Sequence, residues 1–261
     1  MPGNVPIGAF FCQYGVVGGN ILKLMRQEEG LGLLWAIAIF SAWLGSAVYW
    51  LSHPLMALSW PGIVAGICVR TFFHTGLFIL AHDAMHGNLL PSSPRWNHRL
   101  GHWGVNLYAC LSYQDCIRNH AQHHRHPAQP GDPDFHNGRH RHLLLWYWHF
   151  MGKYLAWRQF WGFVLIFGAI ALPLNVLGHV PYENFFVFCL LPIFLSSWQL
   201  FFFGTYLPHR DRRSLPKPSI KPSLGWRIWS FLSCYHFGTF HEEHHRHPHK
   251  PWFRLPGHGI S

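Results

Sequence analysis

His120-Ala121-Gln122-His123-His124-Arg125-His126-Pro127 and His241-Glu242-Glu243-His244-His245-Arg246-His247-Pro248 are one pattern, H-x-x-H-H-R-H-P, written twice. Residues three and four apart share a helix face, so each copy aims its imidazoles into one pocket before the proline stops the helix. A shorter motif, His82-x-x-x-His86, has compatible spacing. Spacing carries the signal, because 23 histidines in 261 residues leave room for bystanders.

The chain around these motifs is 49% hydrophobic and only 11% charged. Four apolar stretches, Leu31 to Ser52, Leu58 to Ala81, Gln159 to Gly178 and Phe185 to Gly204, are long enough to cross a hydrocarbon layer as helices. The second carries Arg70 and His74 four residues apart, on a face expected to turn away from lipid. Gly101 to Tyr113 and Leu143 to Met151 fall short of spanning length and read as re-entrant or interfacial. The expectation is an all-α integral membrane protein with four transmembrane helices. A helical cap would carry the histidine-rich site, and residues 1–261 would form a single domain. Leu215 to Pro222 reads as a connector or surface loop.

With four crossings, both termini and all three motifs lie on one side. Of 20 Lys and Arg residues, 19 flank the spans on that side, Arg70 is within a span, and the two opposite loops have none. That bias makes the motif side cytoplasmic. It also accounts for the formal charge of +10 without nucleic acid, although the basic face could attract anionic lipid or an acidic electron carrier. The six cysteines form no C-x-x-C pair, which argues against disulfides and zinc ribbons. The N-terminus shows neither a signal-peptide nor a transit-peptide pattern, so the first span is expected to be retained.

The three motifs hold eight histidines, and His209 in Tyr206-Leu207-Pro208-His209 emerges beside them after the fourth span. Nine neutral imidazoles exceed the needs of one ion, so two metals are implied. Nitrogen ligation alone leaves iron, zinc, copper and nickel open. Asp83, Asp132, Asp134, Glu242 and Glu243 are candidates to orient ligand N–H groups, with His126 and His247 as further supporting positions. His136, His140, His142, His149, His179, His236, His249 and His258 lack a spacing argument and are expected in surface or interfacial roles.

His241-Glu242-Glu243-His244 followed by His245 also satisfies H-E-x-x-H, which would make Glu242 the base of a zinc protease. Against that, Pro248 ends the helix early and the matching position in the first copy is Ala121. A metal carrier is a third possibility, but carrier sites usually lie near the bilayer midplane.

These motifs resemble those of the membrane fatty-acid desaturase and hydroxylase superfamily. The flanks His82-Asp-Ala-Met-His-Gly87, Asp132-Pro-Asp-Phe135, Thr205-Tyr-Leu-Pro-His209 and Pro251-Trp252 are similar to those of bacterial and cyanobacterial β-carotene ketolases. The resemblance spans roughly residues 31 to 256. It implies two iron ions held by His82, His86, His120, His123, His124, His209, His241, His244 and His245, and no catalytic residue beyond these ligands. It also implies two O2-dependent oxidations at C4 of a β-ionone ring, a geminal diol that loses water, and echinenone and canthaxanthin as products. A β-carotene hydroxylase or a fatty-acid desaturase or hydroxylase could use the same site. Electrons must come from an external reductant such as ferredoxin, since the chain has no flavin or haem motif. Aromatic enrichment identifies no substrate-binding residue, because lipid-facing surfaces use the same side chains.

Overall fold

The computed structural model describes residues 18–136, 138, 141–210 and 223–257; His140, His258 and the Leu215 to Pro222 run lie outside them. The described chain is helical, with no strand. Four helices are long and apolar enough to cross a membrane: α1 (Gly18–Leu51, apolar from Gln27), α2 (Trp60–Met85), α6 (Trp157–Gly178) and α7 (Tyr182–His209). Each corresponds to an expected span, but α2 runs on to Met85 and α7 to His209. Their ends are set by the histidine motifs, which hydropathy does not register.

The two short apolar stretches belong to the amphipathic helix α3 (Pro94–Ala109) and to α5 (Leu143–Tyr154), which is apolar on its exposed as well as its buried side. The first expected boundary fails, because Cys110 turns left-handed at φ 54° and Tyr113 opens α4 (Tyr113–Arg125). Two further α-helices, α8 (Leu224–Cys234) and α9 (His241–Arg246), and short 3-10 helices at Leu55–Ala57 and Trp252–Gly257 complete the described set. Ser112 and Ser223 cap α4 and α8 by accepting from the Asp115 and Trp226 N–H groups, each cap contributing about 1 kcal/mol. Pro127 and Pro248 follow the ends of α4 and α9, as the duplicated motif requires.

Helix α2 is the central post, and α3 lies close against it. A Cβ on Gly104 would come within 2.7 Å of the Leu77 carbonyl, so only glycine permits that approach. Arg70 and His74 are both buried on α2 and face protein. The Arg70 guanidinium donates to the Phe188 and Trp43 carbonyls and lies over the Trp43 ring. His74 takes the Trp43 indole N–H on Nδ1 and faces the Tyr108 carbonyl with Nε2 at 2.8 Å. A charge in a span costs about 3 kcal/mol, which these bonds offset. Phe188 lies in the first of two wider, π-helical turns of α7, Phe186–Leu190 and Leu200–Tyr206. Such turns recur where a helix must aim side chains at a functional site.

Candidate metal centre

The nine motif imidazoles converge at one end of the bundle in two groups, within each of which one ligand nitrogen per residue lies within 4.8 Å of the others. His82, His86, His120, His124 and His244 form the first; His123, His209, His241 and His245 form the second. The division follows helical geometry. His82 and His86, one turn apart at the end of α2, share a group, and so do His120 and His124 on α4. His123 stands about 100° around the α4 axis from His124 and therefore points to the other group. On α9 the arrangement is reciprocal, with His241 and His245 in the second group and His244 crossing to the first. His209, at the end of α7, completes the second group.

The donor set fits metal ions. Nε2 atoms face one another at 2.7 Å (His86 and His120), 3.1 Å (His124 and His244), 3.0 Å (His123 and His245) and 2.9 Å (His241 and His245). A neutral imidazole has one lone pair and one N–H, so these packed nitrogens cannot all satisfy each other, whereas a cation between them takes every lone pair. His82 and His244 also bury their Nδ1 atoms without a hydrogen-bond partner. Burial, followed by the charge of neighbouring imidazoles, pushes His86 down to about 3, His124 to about 4 and His245 to about 2. These groups are held neutral, as ligands must be. His123 differs: burial lowers it, but Asp134 and then Asp132 more than offset that, and its pKa is raised.

Of the seven candidate supporting residues, the structure brings three to the site. Asp132 faces the Nδ1 of His123 with both oxygens at 3.0 Å and is itself fixed by the Ala128 and Asp134 N–H groups. Asp134 lies 3.9 Å from the same nitrogen and accepts from the Tyr154 hydroxyl at 2.5 Å. Asp83 accepts the Trp252 N–H, and its other oxygen lies 3.7 Å from His82 Nδ1. The remaining four face elsewhere. Glu242 pairs with Arg246, Glu243 pairs with Lys250 and lies near His247, and His126 is exposed. The position of Glu242 also removes the base that the zinc-protease reading needs. Two histidines expected in surface or interfacial roles are instead buried: His136 packs against Phe135 and Trp146, and His236 bonds the Ser230 hydroxyl.

A cavity of about 380 Å³ leads away from the imidazoles, in the size range of small-molecule sites. Its histidine end includes His82, His120, His123, His241 and His244, and its walls are apolar side chains of α2, α3, α5, α6 and α7. The sequence could not single out these walls, because rings facing a cavity and rings facing lipid are the same residue types. Of the lining hydroxyls, those of Tyr108, Tyr147, Tyr154 and Ser197 are hydrogen-bonded. Thr205 also lines the cavity, and its carbonyl lies 2.6 Å from His209 Nδ1, which leaves His209 Nε2 for the second group.

Fold and site together define a class: a membrane protein of apolar spanning helices with two histidine clusters at one end of the bundle. Residues 57–258 match the family described as Fatty acid desaturase, and the chain belongs to that family. It is 40% identical to a β-carotene ketolase of Paracoccus sp. (strain PC1), covering 93% of this chain and 94% of the relative. A second β-carotene ketolase, of Paracoccus sp. (strain N81106 / MBIC 01143), is 40% identical over 84% of this chain and 88% of its own. A zeaxanthin 4-ketolase of Chlamydomonas reinhardtii is 37% identical over 85% of this chain and 50% of its own. No solved structure matches.

Proposed function

We propose that the protein is a carotenoid 4-ketolase, a non-haem di-iron oxygenase that oxidises C4 of the β-ionone ring of β-carotene to a ketone, giving echinenone and then canthaxanthin. The observation that carries this reading is the apolar cavity ending on imidazoles of both groups, in a chain alike over most of its length to β-carotene ketolases. One iron would be held by His82, His86, His120, His124 and His244, and the other by His123, His209, His241 and His245. Bound iron supplies the activation of O2 that breaks an otherwise unreactive C–H bond.

The chain's own residues do the rest. Asp132 orients His123 and strengthens it as a donor. The cavity walls exclude water and hold one ring carbon against the imidazoles for two rounds. Each round consumes one O2, two electrons and two protons and releases one water; the second leaves a geminal diol, which loses a further water to become the ketone. Between rounds the intermediate is an alcohol in an apolar pocket, where an unpaired hydroxyl costs free energy. Thr205 offers that alcohol a partner beside the second group.

We read the chain as one domain, with its termini and histidine motifs in the cytoplasm, and the electrons as coming from an external donor such as ferredoxin. The test is pigment analysis after expression in cells that accumulate β-carotene. Echinenone followed by canthaxanthin is expected; mainly 3-hydroxylated product, or new lipid unsaturation without ketone, would refute the ketolase reading.

A further inference from the structure

We propose that the cavity opens sideways into the bilayer between α5, α6 and α7, and that this opening is a binding groove for the far part of a long, rod-shaped apolar substrate. The inference rests on the ketolase reading for the ring at the histidines, and adds where the remainder of the molecule lies.

The first observation is size. Along α7 the lining runs from Thr205 to Leu190, 15 residues or at most about 22 Å at the α-helical rise of 1.5 Å per residue, since the π-helical turn at Leu200–Tyr206 rises less. The cavity volume is about 380 Å³. It takes a ring and part of a conjugated arm, but not a two-ringed carotenoid. The far arm must leave the protein.

The second observation is where the wall is incomplete. Within α6 only Ala171 is buried. Phe163, Phe167 and Ala171, four residues apart, form its inward face. Phe167 meets Phe185 of α7 with ring centroids 6.0 Å apart, so α6 closes on α7 near the loop that joins them. One turn nearer the histidine end, Phe163 faces the cavity. Trp148 of α5, Phe160 of α6 and Phe194 of α7 line the cavity while remaining 66%, 38% and 48% exposed. Rings that face both the cavity and the outside mark its mouth. Two of these rings, Phe160 and Phe194, belong to apolar spanning helices, where the solvent is lipid. A polyene dissolved in the bilayer can enter there ring first and leave its other end among acyl chains.

The experiment compares two substrates in the iron-loaded enzyme reconstituted in lipid nanodiscs: β-carotene, which needs the groove, and β-ionone, whose short arm fits inside. In Phe194→Trp, which crowds the mouth, the ratio of kcat/KM for β-carotene to that for β-ionone should fall about tenfold, the effect of an overpacking penalty near 1.4 kcal/mol. Trp148→Ala, at an exposed position the fold tolerates, should change the same ratio by at least about threefold, through KM for β-carotene. Equal losses with both substrates, or an unchanged ratio in Trp148→Ala, would overturn the groove. So would a disulfide between copies in Trp148→Cys, which would make this face a protein interface. If wild type converts both substrates to alcohols only, the ketolase reading fails, while the ratio still reports on the groove.

Discussion

Among single residues, Asp132 and Thr205 make different demands on the site. Asp132→Ala leaves the His123 N–H without its partner, and such losses lower metal affinity by about 10- to 100-fold. The purified variant is expected to retain less iron after dialysis against a weak chelator, measured by elemental analysis, with activity returning at high added iron. Thr205→Val keeps the shape and removes the hydroxyl, so the intermediate alcohol should escape. Early release of 4-hydroxy carotenoid, seen by chromatography with hydrogen abstraction intact, is the expected result; a wild-type product ratio would exclude the role. The eight motif histidines are legible from spacing and His209 from its position after a span. Their division between two groups is not, because a motif reports which face a side chain occupies but not what lies opposite. Asp132 could be suspected beside its motif. Glu242 could be suspected equally, and only folding shows that it pairs with Arg246.

Individual helices show where hydropathy suffices and where it stops. The four spans can be read from their apolar runs, since lipid imposes length and composition on any helix that crosses it. The ends of α2 and α7 cannot: α2 continues into His82 and Asp83, which are polar but buried, and α7 runs on to the half-buried His209. The wall role of α5 is hidden for a related reason: Tyr147 faces Ser197 while Trp148, one residue on, is exposed. Helix α3 depends on Gly104. Gly104→Val would drive a branched side chain into the Leu77 carbonyl and displace Tyr108, which lines the cavity one turn later. We expect a loss of about 1–3 kcal/mol, visible as a lower thermal midpoint of the detergent-solubilised protein. A midpoint within experimental error of wild type would show that α3 does not rest on α2 in this way.

At the level of the whole molecule, the Lys and Arg distribution predicts the cytoplasm for the loop containing Pro130 and the opposite side for His53 and His179. Single cysteines at these positions, in a background lacking the native ones, should label in opposite patterns with an impermeant thiol reagent. Labelling of the Pro130 position from outside intact cells would reverse the topology. The two histidine groups carry a further consequence. Each of α4 and α9 gives two imidazoles to one group and one to the other, so neither group can be ordered while those helices are loose. If each group takes one ion, as proposed, the first to arrive would bear the entropy of fixing both helices, and the second would meet a set already arranged. Iron uptake by the apoprotein should be sigmoidal, with empty and fully loaded molecules dominating at half saturation in native mass spectra. Chelation should then strip the pair together, as an all-or-none loss.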